Sequence, residues 1–293
     1  MDEKMLRRMI ASIVLFSIPL SSTTIHVGAA DVAVQPTNRQ IVNLEVRTYV
    51  FVHGCGEASW VWFRVAAMLQ EVGFTTVAID MVSHGIDKTS PDEVLSMSQY
   101  AKPLTSHLAN VTGKVILVSH GLGGGPASYA METFPEKISK AVFLSGVMPL
   151  TGEMVLDALK PTFPALMNTC FLLNYNGVNK TYPSSIVVNR TGAPNCYFNR
   201  SPPLDVALAT NLMEDTPWAV FYDSIKLTKA NYGSIDRYYI RQGLDRIIPY
   251  DIQQQIIAHN PPKQVFLLKN GDHCGFFSET PYLFTLLKQI AFL

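Results

Sequence analysis

The chain has 293 residues, 23 basic and 23 acidic side chains and a formal net charge of +0. That balance gives nucleic acid or an anionic membrane nothing to select electrostatically. Hydrophobic residues at 48%, with 18 glycines and 18 prolines, fit a well-packed globular enzyme and exclude a disordered or repeat protein.

The N-terminus reads as a leader, apart from the fold. Lys4, Arg7 and Arg8 precede an apolar run, Ile10 to Leu20, and Val27-Gly28-Ala29-Ala30 places small residues before a cleavage point. This is the layout of a secretory signal peptide, and the run is short for a membrane span. Asp2 and Glu3 depart from the usual basic flank. Removal of residues 1–30 leaves 31–293 as one domain of about 260 residues. A secreted or endomembrane-lumen location also fits the sequons at Asn110, Asn179 and Asn189, which are N-glycosylation acceptors. Asn199-Arg-Ser201 is followed by Pro202 and is set aside. The four cysteines, Cys55, Cys170, Cys196 and Cys274, allow three pairings. Cys170 with Cys196 joins two positions of one irregular segment, and packed free thiols are the alternative.

From Thr48 onward short apolar runs alternate with amphipathic stretches. Strands are predicted at Thr48–Val52, Thr75–Ile79, Val115–Val118, Ala141–Leu144, Asp236–Ile240 and Gln264–Leu268. Helices are predicted at Trp60–Val72, Ser98–Ala109, Gly123–Phe134, Tyr250–His259 and Thr280–Ala291. Such alternation means a mostly parallel sheet covered by helices on both faces. The rhythm stops between about residues 150 and 232, where Pro161, Pro164, Pro183, Pro202 and Pro203 fall. A structureless loop of that length is improbable, so the segment reads as an inserted cap.

His53-Gly54-Cys55, Asp80, Ser119-His120-Gly121, Asp245 and Gly271-Asp272-His273 all follow a strand. Strand ends of a parallel sheet share one edge, so these residues converge on one pocket. Within them, Ser119-His120-Gly121-Leu122-Gly123 has the strand–turn–helix setting of the G-x-S-x-G nucleophile elbow, with glycine at the centre. Glycine relieves the strain of that turn and cannot attack a carbonyl. Ser119 shares the strand face two residues earlier, but about 6–7 Å from the required point. Ser83, Ser145 and Cys274 border the site as loop or packing residues.

These segments, with Val52-His-Gly-Cys-Gly-Glu-Ala-Ser-Trp60, Ala78-Ile-Asp-Met-Val-Ser-His-Gly-Ile-Asp87, Ala141–Pro149, Ser201–Ala209 and Tyr232–Ile240, resemble the plant methylesterase and hydroxynitrile-lyase branch of the α/β-hydrolases. The likeness runs from about Tyr49 to the C-terminus. It implies an α/β-hydrolase fold and a triad in the order nucleophile, acid, base. The acid falls on Asp245 and the base on His273. The nucleophile falls on Gly121, a vacant position. The oxyanion hole falls on the backbone N–H groups of Cys55 and Leu122. His120, also histidine in many of these proteins, is implied as support, as Ser119 would be. The lyases of the branch carry a lysine after the histidine, where this chain has Cys274, which counts against cyanohydrin cleavage.

Removing a triad serine costs about 10^6-fold in turnover, so ordinary esterase efficiency is not expected. A His–Asp pair remains a competent general base. The leading expectation is non-hydrolytic acid–base chemistry (lyase, isomerase or cyclase type) on a small apolar acid, ester or related metabolite. No cofactor, metal, nucleic acid or membrane is expected to take part. A non-catalytic ligand-binding protein and an esterase with another nucleophile are the alternatives. Trp60, Trp62, Phe171, Tyr175 and Trp218 are candidate pocket aromatics, or plain core. The oligomeric state is not readable.

Overall fold

The structure, a computed structural model, describes residues 45–176 and 181–293; the expected leader and Asn179 lie outside the described residues. The elements follow in order: β1 (Thr48–Val52), α1 (Phe63–Glu71), β2 (Thr75–Ile79), α2 (Lys102–Asn110), β3 (Val115–His120), α3 (Gly124–Thr133) and β4 (Ile138–Leu144). After them come β5 (Phe171–Asn174), β6 (Ser185–Val188), α4 (Pro203–Leu212), β7 (Thr216–Pro217), β8 (Asp236–Gln242), α5 (Tyr250–His259), β9 (Gln264–Leu268) and α6 (Thr280–Ala291). Six strands form one parallel sheet in the order β2-β1-β3-β4-β8-β9, with helices on both faces. This is the α/β-hydrolase fold. Among the described residues no helix is long and apolar enough to cross a membrane.

Every residue of β3 is buried, as an uninterrupted apolar run at the centre of a two-faced sheet requires. Tyr49 closes the core beneath α6, its hydroxyl donating to the Leu287 carbonyl at 2.7 Å. The sequence places β1, β2, β9, α5 and α6 at their observed bounds, and the other predicted elements shift for identifiable reasons. β3 continues through Ser119 and His120 because both still pair with β4, opposite Phe143 and Leu144. β4 begins earlier, at Ile138, and β8 runs on to Gln242, opposite Leu268. The predicted helix from Trp60 opens as a 3-10 turn, Ser59–Trp62. The one predicted from Ser98 breaks into Met97–Tyr100 and α2, because Pro103 has no N–H to continue the ladder.

The segment between β4 and β8 builds its own antiparallel sheet, β5-β6-β7. A disulfide joins Cys170 to Cys196, with Cα atoms 5.9 Å apart. Cys55 and Cys274 are buried free thiols. The insert is fastened where the sheet ends. Gly56 N–H donates to Thr216 Oγ1 at 2.8 Å, and Glu214 N–H returns a bond to the Gly56 carbonyl at 3.0 Å. Asp272 is buried and accepts from Arg200 N–H and Ser201 Oγ, both at 2.8 Å. Arg64 on α1 holds Asp205 on α4 at 2.7 Å. His84 braces the same seam: its Nε2 lies 3.1 Å from Thr216 Oγ1 and its ring 4.8 Å from that of His53.

Two tests follow from this construction. The disulfide closes a loop of sequence separation 26, and loop-closure entropy then gives about 3.5 kcal/mol. Cys170→Ala/Cys196→Ala should lower the denaturation free energy by that order and open residues 160–200 to limited proteolysis. An unchanged urea midpoint would show that the bridge constrains nothing.

Burial, with the neighbouring His53 charge, lowers His84 to about 3. The unfolded chain takes up this proton near the ordinary histidine value and the folded chain does not. Stability therefore falls as pH drops through that interval, by about 1.4 kcal/mol per pH unit from this group. Between pH 6.5 and 4.5 the wild type should lose about 2 to 3 kcal/mol more than His84→Gln. Parallel stability curves for the two proteins would refute the assignment.

Candidate active site

The turn after β3 decides the geometry. Gly121 has φ +52°, in the left-handed region, and starts a 3-10 turn, Gly121–Gly123, that leads into α3. A Cβ on Gly123 would lie 2.3 Å from the His53 carbonyl oxygen, and one on Gly124 would lie 2.0 Å from that of Val147. The turn is thus wedged between the loops after β1 and β4, backbone against backbone. A Cβ on Gly121 would meet only His273, with Nε2 at 3.3 Å, and the Gly54 Cα at 4.0 Å.

His273 is buried on the loop after β9, and Asp245 on the loop after β8. His273 Nδ1 lies 2.8 Å from Asp245 Oδ2. Oδ2 also accepts from Ser145 Oγ at 2.5 Å, and Oδ1 accepts from Ile247 and Ile248 N–H at 2.8 and 2.9 Å. All the acceptor positions of an ionised carboxylate are filled, so Nδ1 carries the proton. Nε2 is left as the lone-pair nitrogen, facing Gly121.

Behind His273 stands a second pair. His120 Nδ1 lies 2.8 Å from Glu57 Oε2, and its Nε2 lies 2.7 Å from the backbone carbonyl of His273. Gln242 Nε2 donates to the same carbonyl at 2.5 Å. Burial alone would push Glu57 up and His120 down. Their mutual attraction and hydrogen bond reverse both, leaving Glu57 below and His120 above its ordinary range.

A cavity lies between these loops and the insert. Cys55, Leu122 and His273 form its floor; Leu159, Phe163 and Phe171 are among its roof residues. It leaves about 10 Å³ for the centre of a water molecule, room for about one. Leu122 is in the first turn of its helical segment, where N–H groups lack intrahelical acceptors.

The structure therefore brings together Gly121, His273, Asp245, Cys55, Leu122 and His120. It turns Ser119 away: the side chain is buried and its Oγ points to the Val142 carbonyl of β4, 3.4 Å off. This agrees with the distance that already counted against Ser119 as a substitute nucleophile. Ser145 serves Asp245, and Ser83 Oγ bonds the Thr89 carbonyl at 2.8 Å. Burial pushes the Cys55 thiol up to about 12 and the Cys274 thiol well above its ordinary value, so neither is a ready thiolate.

Of the five candidate aromatics only Phe171 lines the cavity; Trp62 is wholly buried core and Tyr175 is exposed. The other cavity aromatics, Phe163, Tyr197 and Phe221, come from the insert, whose irregular course hides them from periodicity. Glu57 was also missed. A lone acid in the apolar, glycine-rich run Val52–Trp60 was its signal. Among the described residues no three His, Cys, Asp or Glu side chains are grouped to hold a metal ion. Of the sequon asparagines, Asn110 is exposed at the end of α2. Asn189 is half-buried, with its amide bonded to Asn168 O at 3.0 Å and Thr191 N at 3.1 Å.

Comparison with known proteins places this architecture. Residues 49–284 match the model of the alpha/beta hydrolase family. A putative chloroplastic methylesterase of Arabidopsis thaliana is 39% identical over 285 residues, 94% of this chain and 73% of that protein. Two further putative Arabidopsis methylesterases are longer, and the chain spans 56% and 58% of them. The crystal structure of an Arabidopsis methylesterase superposes with TM-score 0.75 at 28% identity, covering 85% of this chain and 100% of that one. Tomato methylketone synthase I, solved with 2-tridecanone and, as a variant, with β-ketoheptanoate, superposes with TM-score 0.77 at 30% identity, covering 84% and 98%. The chain belongs to the alpha/beta hydrolase family, with the plant methylesterases among its homologues.

Proposed function

We propose that Gly121 stands where serine hydrolases of this fold carry their nucleophile, and that the protein performs non-hydrolytic acid–base chemistry on a small apolar carbonyl compound. The observation that carries this reading is the contact between Gly121 and His273: Nε2 faces a residue with no side chain, while the His273–Asp245 bond is intact at 2.8 Å. His273 Nε2 would remove a proton α to the carbonyl. The backbone N–H groups of Cys55 and Leu122 would hold the resulting enolate oxygen, and Asp245 would steady the imidazolium. Once the imidazolium has traded that proton for one from solvent, its return to the same carbon gives exchange, and to another carbon of a conjugated enolate gives isomerisation.

The apolar roof supports an uncharged or weakly polar ligand, admitted by movement of roof side chains beyond the single-water space present. The tomato synthase supports a carbonyl ligand, since both its crystallised ligands carry a ketone and neither an ester; 2-tridecanone is uncharged, and β-ketoheptanoate adds a carboxylate.

The test is deuterium uptake. Simple aliphatic ketones and β-keto acids are incubated with the full chain in D₂O, and label at the α-carbon is followed by NMR. The wild type should exchange or transform at least one of them, with His273→Ala slower by about 10^2–10^4-fold. Equal binding by both proteins with no exchange would leave a ligand-binding protein. Methyl-ester hydrolysis at ordinary esterase rates, or stoichiometric labelling by a fluorophosphonate, would restore the esterase reading.

Gly121→Ser gives a second outcome. A side chain at φ +52° costs about 1–2 kcal/mol, and His273 must yield a few tenths of an ångström. The variant should be less stable by that amount, yet gain aryl-ester hydrolysis by at least about 100-fold. No gain in a folded variant would mean that the remaining groups are not arranged for acyl transfer.

For location, we propose that residues 1–30 are a removed leader directing the chain to an oxidising secretory compartment, supported by the Cys170–Cys196 bridge. Protein from plant cells should begin near Asp31 and carry glycan at Asn110, the exposed sequon of the two described. The putative Arabidopsis methylesterases named above are described as chloroplastic, and an unglycosylated chain recovered from plastids would overturn the secretory reading.

A further inference from the structure

Glu57 takes no part in the chemistry proposed above, yet it is a fully enclosed carboxylate at the back of the site. It is 1% exposed, and its partner His120 is 0% exposed. Oε2 accepts the Gly54 N–H at 2.8 Å as well as facing His120 Nδ1, and Oε1 takes the Cys274 thiol at 3.5 Å. A Cβ on Gly54 would lie 2.9 Å from His120 Nδ1 and 3.0 Å from Glu57 Oε2, so the pair is packed directly against bare backbone. On its other side His120 Nε2 meets the His273 carbonyl at 2.7 Å, and a carbonyl can only accept. Nε2 therefore carries a hydrogen. Since Oε2 already receives one donor, Nδ1 is best met as a second N–H.

We propose that Glu57 and His120 form a standing buried ion pair, and that Glu57 is a positioning residue that keeps a cation beside His273. The rings of His120 and His273 have centroids 4.4 Å apart. A charge at that distance in a dry interior disfavours a second positive charge on His273. Its Nε2 faces Gly121, while the Nε2–H of His120 clamps the His273 backbone. The groups facing His273 are Asp245 from the loop after β8, His120 from β3, Glu57 and Cys55 from the loop after β1, its neighbour Cys274, and Tyr197 from the insert. Tyr197 meets the ring edge-on, with centroids 5.1 Å apart. Burial holds Tyr197, Cys55 and Cys274 neutral, so Asp245, the adjacent Asp272 and the Glu57–His120 pair are the charges that act.

The functional meaning rests on His273 being the base, but the charge of His120 is measurable without any substrate, so the two claims fail separately. The experiment is ¹⁵N NMR of histidine-labelled full-length protein across pH 5–9. Both His120 ring nitrogens should be protonated at neutral pH. In Glu57→Gln one of the two should lose its proton, and the pH at which His273 takes up its own should move upward. Glu57→Asp should restore the wild-type pattern if its shorter carboxylate reaches His120. His120→Gln, which keeps an N–H toward the His273 carbonyl and removes the cation, should shift His273 in the same direction as Glu57→Gln. If neither neutral variant folds, the wild-type spectrum alone decides the charge. An unprotonated His120 nitrogen in the wild type, or a His273 titration unmoved in a folded neutral variant, overturns the proposal.

Discussion

The site depends on a steric constraint: the turn after β3 lies so close to the loops after β1 and β4 that a single carbon would not fit at Gly123 or Gly124. Backbone packing of this kind fixes positions more tightly than side-chain contacts, because no rotamer can absorb a displacement. It sets Gly121 at the mouth of α3, facing His273 Nε2. Leu122, next along the turn, shares the cavity floor with Cys55. The remaining groups are hung around that fixed point.

Two buried carboxylates then orient two imidazoles. Asp245 is saturated with four donors and fixes the tautomer of His273. Glu57 faces His120, which reaches the His273 carbonyl. An isolated charge at this depth is prohibitively unfavourable, and each carboxylate is tolerable only because its lone pairs meet donors. The histidine is thus held from both its ring and its backbone, which is what a proton-transfer group needs whether or not a covalent intermediate forms.

The insert is more than a roof. Gly56 and Asp272, on loops at either side of the cavity, are both hydrogen-bonded to it, at Thr216 and Glu214 and at Arg200 and Ser201. Lifting it as a rigid lid would break those bonds and loosen the floor. For the ligand proposed above, entry would be better served by rearrangement of Leu159, Phe163, Phe171 and Phe221, whose rings and methyls line the cavity.

Much of the scaffold was legible in the chain itself. Strand–helix alternation gave the parallel sheet, since apolar period reports burial directly. The rule that parallel strand ends share an edge groups Cys55, Gly121, Asp245 and His273 from the sequence alone. The identity of residue 121 is likewise a fact of sequence, and glycine can supply no nucleophile wherever it folds. What tertiary structure decided is direction and pairing. Strand geometry puts Ser119 on the right face but too deep, and the structure turns its hydroxyl to the neighbouring strand. For Trp62 the sequence leaves pocket and core open, and packing makes it core, while Tyr197 and Phe221 reach the cavity from a segment without periodicity. Glu57 gained its partner 63 positions away only when β1 and β3 paired. Periodicity encodes which face of an element is buried, but a hydrogen bond between distant loops depends on the final positions of both, and no local pattern carries that information.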